Sequence, residues 1–208
     1  MMKMIKKTTL LILLCLAAAL QAQGAVDAAK TLDAVATKVR TSKSISAAYS
    51  LTGSNQISGS GTITLAGERF AMTSPKMSVW YDGTTQWTYS AADNEVNVSE
   101  PTAAELQQIN PFAIINSFRQ TYSAKTLSST KTSAKIQLTA KSTKADIRIA
   151  TVTVNLSTML PTQVQLKLAS GQTVTLTISN AKIGNALAID TFRFPKAKYP
   201  RAEVIDLR

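Results

Sequence analysis

The chain has 208 residues, with 23 Lys and Arg against 12 Asp and Glu, no histidine and a single cysteine. Without histidine it lacks the commonest general base and the commonest metal ligand. Its cations are spread along the chain instead of gathered in runs, which reads as a solvated basic surface and gives no reason to expect a nucleic-acid partner.

The first seven residues carry Lys3, Lys6 and Lys7, and an uncharged run follows from Thr8 to Leu20. The small residues Ala17, Ala18, Ala19, Ala22, Gly24 and Ala25 come next. A basic start, a short apolar stretch and a small-residue tail form the pattern of a secretory signal peptide. The apolar run falls short of the ~20 residues a membrane-crossing helix needs. Cleavage is expected after Ala22, dividing the chain into a signal peptide, 1–22, and a single domain, 23–208. Cys15 follows Leu14, whereas lipid attachment wants a small residue before the cysteine, so Cys15 reads as part of the signal segment. The exported chain then has no cysteine and forms no disulfide. Cleavage removes three lysines and no acids, leaving 20 basic and 12 acidic groups, a net charge of +8.

Residues 26–42 predict an amphipathic helix, with Ala29, Leu32, Val35, Ala36 and Val39 recurring at three- and four-residue spacing. From Ser44 the apolar period becomes two: Ala47, Tyr49, Leu51; Ile63, Leu65; Phe70, Met72; Met77, Val79, Tyr81. Asp82-Gly83 between Tyr81 and the Trp87/Tyr89 run is a hairpin signal. Val96 and Val98 follow a polar turn. Residues 101–120 break the pattern: Thr102 with Glu105 predicts a capping box, and Asn110-Pro111 predicts a second helix start followed by Phe112, Ile115 and Phe118. Alternation then returns in Ala134–Ala140, Val164–Leu168 and Val174–Ile178. In Ile147–Asn155 the apolar phase slips at Ile149-Ala150, which predicts a bulge or burial on both faces.

The count is nine to eleven strands joined mostly by short turns, which implies antiparallel pairing of neighbours. A single sheet of this length twists and curls, and its apolar face has to be covered. The expected architecture is mainly β: an unclosed antiparallel barrel, a half-barrel, covered by the N-terminal and mid-chain helices. A filled core and a cavity beneath those helices fit the pattern equally well.

Catalytic chemistry finds no foothold. The acids are scattered, with Asp82, Asp93 and Glu95 at or beside turns. There is no Gly-rich phosphate loop and no nucleophile elbow. No enzyme activity, cofactor or metal is expected.

The order of these segments resembles the outer-membrane lipoprotein carrier family, LolA. The resemblance is carried by Gly59-Ser-Gly61-Thr-Ile-Thr-Leu65, Arg69-Phe70-Ala-Met72, Pro75, Val79-Trp-Tyr-Asp82-Gly83-Thr-Thr-Gln-Trp87-Thr-Tyr89 and Asn94-Glu-Val96. Asn110-Pro111-Phe112 looks like the family's mid-chain helix. Phe192-Arg-Phe194-Pro195 and Val204-Ile205-Asp206 look like its closing segment. The resemblance implies a monomeric periplasmic shuttle. It would take acylated lipoproteins from an ATP-driven exporter in the inner membrane and hand them to an outer-membrane acceptor, with the acyl chains in an apolar cavity. The alternative on the same half-barrel is a non-enzymatic envelope sensor or adaptor that binds a lipid or protein partner around a packed interior. The family often carries a basic residue directly before a proline after the Gly-x-Gly strand, tied to lid closure; here the region reads Ala66-Gly-Glu-Arg69, and Arg69 is the gating candidate.

The residues expected to line the lipid cavity are Leu32, Val39, Phe70, Met72, Val79, Tyr81, Trp87, Tyr89, Phe112, Ile115 and Phe118.

Overall fold

The computed structural model describes residues 26–208, so the basic-apolar leader and its cleavage after Ala22 lie outside the described residues. The first helix, α1 (Ala28–Thr41), starts where Asp27 Oδ1 accepts the Lys30 amide at 2.9 Å. That side chain satisfies one of the donors that every helix start leaves free. Lys38 and Arg40 complement the dipole in the last turn. Its buried stripe is Ala28, Thr31, Leu32, Val35 and Val39.

Six strands follow: β1 (Ser44–Gly53), β2 (Ser58–Ala66), β3 (Arg69–Thr73), β4 (Met77–Tyr81), β5 (Gln86–Ser90) and β6 (Glu95–Ser99). Two helices interrupt the sheet. In α2 (Ala103–Ile109) the capping box is present: the Glu105 amide donates to Thr102 Oγ1, and the Thr102 amide to Glu105 Oε2. In α3 (Pro111–Thr121) Asn110 Oδ1 accepts the Phe112 amide at 3.0 Å. Then come β7 (Tyr122–Ser129), β8 (Ser133–Ala140), β9 (Ile147–Asn155), β10 (Leu160–Leu168), β11 (Thr173–Gly184) and the short β12 (Glu203–Asp206).

All twelve strands form one sheet in the order β12-β6-β5-β4-β3-β2-β1-β11-β10-β9-β8-β7. The ends, β12 and β7, do not meet, so the barrel is unclosed. Pairing is antiparallel between neighbours in sequence, with two exceptions. β1 pairs with β11 and joins the two halves, and β12 lies parallel to β6. The phase slip in β9 is a register shift against β10, where Arg148 has no partner between Ile147↔Leu168 and Ile149↔Lys167.

Twelve strands exceed the expected nine to eleven because β7 and β12 leave weak signals. In β7 only Tyr122 is buried, and Leu127 is skipped in the pairing with β8. β12 is four residues long and mostly exposed.

α1 and α3 lie against the inner face of the sheet. Their Leu32, Val35, Val39, Ile114, Ile115 and Phe118 join Ile136, Leu138, Ala150, Val152 and Val164 from the sheet in one apolar core. Each Val, Leu, Ile or Phe side chain among them contributes on the order of 1.5–3 kcal/mol when taken out of water. No helix among the described residues is long and apolar enough to cross a membrane, which says nothing about strands.

A second core lies on the opposite face, over β3–β6. It contains Ala66, Ala71, Trp80, Tyr89, Val96 and Phe192, with Trp87, Phe194 and Tyr199 packed against it. The C-terminal segment, residues 185–202, covers these strands through two 3-10 turns, Ile189–Phe192 and Lys196–Lys198.

Candidate ligand-binding cavity

The two halves of the sheet meet at β1 and β11, and beyond the reach of α1 and α3 the inner face is left uncovered. There the structure holds a cavity of about 1050 Å³. Its walls are Tyr49, Leu51, Met72 and Val79 on one side and Val164, Leu166, Val174 and Leu176 on the other, and Ile109 of α2 contributes from the helix layer. The β1–β2 and β3–β4 loops contribute Gln56, Ile57, Pro75 and Lys76, and Met77 lines it from the start of β4. Lys76 is the only charged residue among the described residues that line it. The volume stands at the upper end of the range for small-molecule sites. Burial pushes the Tyr49 hydroxyl's pKa up, against a weaker opposing hydrogen bond with Ser74, so the phenol stays neutral in the wall.

A smaller cavity, about 250 Å³, lies on the other side of α2. Val39, Leu65, Phe70, Tyr81, Leu106 and Phe112 line it. Residues 106 and 107 of α2 face this cavity and 108 and 109 face the large one, so the helix stands between them. α2 has no fully buried residue. Leu106 and Ile109 pack in part against the main core, and the remaining tethers are polar: Gln107 to Ser117 at 3.0 Å, Gln108 to Asp146 at 3.1 Å, and Tyr122 Oη to Gln107 at 3.3 Å.

The residues expected in the cavity divide into four groups. Met72 and Val79 line the large cavity. Val39, Phe70, Tyr81 and Phe112 line the small one. Leu32, Ile115 and Phe118, at 0, 1 and 4 % exposure, are packed core beneath the helices and touch neither space. Trp87 and Tyr89 are a correction, since they project to the opposite face and pack in the second core. Trp87 pairs with Trp80 and Tyr89 with Ser78, so their face is that of Trp80, not that of Val79 and Tyr81.

The gating candidate Arg69 is corrected on the same ground. Its neighbour Phe70 faces inward, so Arg69 faces outward, where its guanidinium lies 5.1 Å from the centre of the Phe192 ring. Its Nε donates to the Ala66 carbonyl at 3.4 Å. It makes no hydrogen bond or ion pair to the three helices among the described residues.

Sequence reasoning missed Tyr49, Leu51, Val164, Leu166, Val174, Leu176 and Ile109. All but Ile109 belong to strands whose alternation marks them as one apolar face. What the alternation did not show is that β1 and β11 are partners, which brings Leu51 opposite Leu176 and Tyr49 opposite Ile178.

With this geometry in place, the comparison with known proteins is direct. The family described as outer membrane lipoprotein carrier protein LolA matches residues 18–172. The chain belongs to that family. Among curated proteins no sequence match is found. Solved structures are similar at low identity. An uncharacterized conserved protein from Thermus thermophilus is 12% identical, with a TM-score of 0.58 over 85% of this chain and 97% of that one. The LolA superfamily protein NE2245 from Nitrosomonas europaea is 13% identical, with a TM-score of 0.43 over 82% and 99% of the two chains. A chain of the Pseudomonas aeruginosa MucA/MucB complex is 15% identical, with a TM-score of 0.46 over 81% and 61%.

Proposed function

We infer that the protein is a non-catalytic periplasmic carrier that holds the acyl chains of lipoproteins in the large cavity and moves them between the two envelope membranes. The observation that carries this reading is the apolar cavity of about 1050 Å³ with a single cation in its lining. Burying an acyl chain there is worth ~0.8 kcal/mol per methylene. A carrier must also release its cargo. The polar, half-exposed tethers of α2 supply an element of low local stability next to the site. The export signal expected from the sequence of residues 1–22 and the family membership support the periplasmic assignment. An ATP-driven inner-membrane exporter and an outer-membrane acceptor are the partners this role requires, with the protein acting as a monomer. The sensor or adaptor alternative expects a packed interior, and a cavity of this size favours the carrier.

The test is direct binding. The purified exported chain should bind a fluorescent fatty acid, and an acylated lipoprotein should displace it. Absence of probe binding by a protein that still unfolds cooperatively would overturn the reading.

A further inference from the structure

The inner face of the sheet changes character between β4 and β5. Following one row of partners across the strands gives Ala47, Ile63, Met72, Val79, then Thr88 and Asn97. The next row gives Ile45, Leu65, Phe70, Tyr81, then Gln86 and Ser99. Both rows are apolar through β4 and polar beyond it. Ser90 opposite Glu95 completes the polar strip. On the outer face the order is reversed, since Trp80, Trp87 and Val98 follow Thr64 and Ala71.

The strip adjoins the large cavity directly. Thr88 lines that cavity beside its partner Val79. Gln86, 6 % exposed, donates from Nε2 to Thr88 Oγ1 at 3.1 Å, and its Oε1 is buried without a partner. Turning the amide over would only transfer the vacancy to the other atom. A buried polar atom without a protein partner costs on the order of 1–3 kcal/mol unless a water or a ligand satisfies it. Half-buried Asn97 and Ser99 make no side-chain hydrogen bond to any described residue.

We propose that this strip is the seat for the polar part of the cargo: the extended peptide that leads away from the acylated residue, held through hydrogen bonds to its amides. The proposal rests on the carrier reading above and names a second subsite for it. The chemistry selects the ligand. Gln86, Thr88, Asn97 and Ser99 offer neutral donors and acceptors, and the one charge on the strip is the Glu95 carboxylate, which repels phosphate and carboxylate groups. The shape agrees, because Glu95 to Ser99 spans roughly 14 Å of extended strand, a linear track that continues from the cavity wall.

The experiment compares two ligands on the exported chain: a synthetic diacylglyceryl-cysteinyl peptide, and a diacylglycerol with the same acyl chains and no peptide. The variant is the Asn97→Val, Ser99→Ala pair, which breaks no internal hydrogen bond. The peptide-bearing ligand should bind about tenfold more weakly to the variant, the loss of one or two net hydrogen bonds, with diacylglycerol affinity and thermal midpoint unchanged. Equal weakening of both ligands, or of neither, overturns the proposal while leaving the cavity as a lipid site. A wild-type protein that binds neither ligand overturns the carrier reading itself.

Discussion

Asp82 and Arg193 meet at 3.0 Å across the outer face of the sheet, although 111 residues separate them in sequence. Asp82 turns the β4–β5 hairpin, where its Oδ1 accepts the amides of Thr84 and Thr85. Its Oδ2 holds the middle of the C-terminal segment through Arg193. One carboxylate therefore shapes the loop and anchors the strap that covers the second core. Burial raises the Asp82 pKa, but the hydrogen bonds from Thr85, Arg193 and Thr84 and the Arg193 charge outweigh it, and the net shift is downward.

A lowered folded-state pKa gives a definite sign. The stabilisation from Asp82 is present above the unfolded carboxylate value of about 3.9 and is lost as pH falls through the folded value below it. Acidification should loosen residues 185–206 through this group, seen as lower amide protection on that segment relative to the intrinsic exchange rate at each pH. In Asp82→Asn the segment should already exchange faster at neutral pH, and this acid-dependent component should vanish. The cost should be about 1 kcal/mol, because Arg193 is half-exposed and water screens the pair. Unchanged exchange in the variant would show that the aromatic contacts hold the segment alone.

Those contacts give a second prediction. Tyr199 stacks with Phe194 at 5.5 Å between ring centres and lies 4.3 Å from Tyr89 and 6.1 Å from Trp80. Tyr199→Ala removes three of the ring contacts of the outer cluster and should cost about 1–3 kcal/mol. Trypsin should then cut more readily after Lys196 and Lys198. Fatty-acid binding should not change, since the sheet separates this cluster from the cavity. Loss of binding would mean that the two faces are coupled.

Much of the architecture can be read from the residues alone. Thr102 and Asn110 mark helix starts because a capping side chain has a short-range reason to be there. The apolar alternation marks the strands. What failed was the face assigned to β5. Four residues separate Tyr81 from its partner Gln86, and any even-numbered hairpin loop places odd-numbered Trp87 opposite an even-numbered residue of β4. That parity sets Trp87 beside Trp80, away from Val79, and could have been read from the Asp82-Gly83 turn. Alternation puts Trp87 and Tyr89 on one face without saying which, whereas register decides the face. β12 had no comparable signal, because its parallel partner β6 is fixed only by the path of the C-terminal segment.

Within the interior, the structure separates lining from packing. Met72 is half-buried and lines the large cavity, whereas Ile115 is 1 % exposed and touches no cavity. Met72→Glu places a charge at an open wall, which can remain hydrated. It should lower fatty-acid binding at least tenfold with a small change in thermal midpoint. Ile115→Ala should cost about 2–5 kcal/mol, as truncations of packed aliphatic residues do, with binding intact in the fraction that stays folded. Equal damage to stability and binding in Met72→Glu would mean that the cavity is closed in solution.

Gly61 tests how tightly the wall itself is built. It sits opposite Tyr49 in the β1–β2 pair. A Cβ there would overlap the Thr73 carbonyl oxygen and lie 3.1 Å from the Tyr49 ring. The clash is with backbone, which cannot rotate away as a side-chain tip can. Gly61→Ala must therefore push β3 outward or displace Tyr49 into the cavity. The expected cost is about 1–3 kcal/mol, the range for forcing extra volume into packed structure. Tyr49 and Met72 both stand in the cavity wall, so fatty-acid binding should weaken along with stability. Gly59→Ala is the control for stability, since a Cβ at Gly59 meets nothing within 4 Å, and it should leave the thermal midpoint near the wild-type value. A Gly61→Ala protein as stable as wild type would show that the β2–β3 edge is looser than the packing around Thr73 requires.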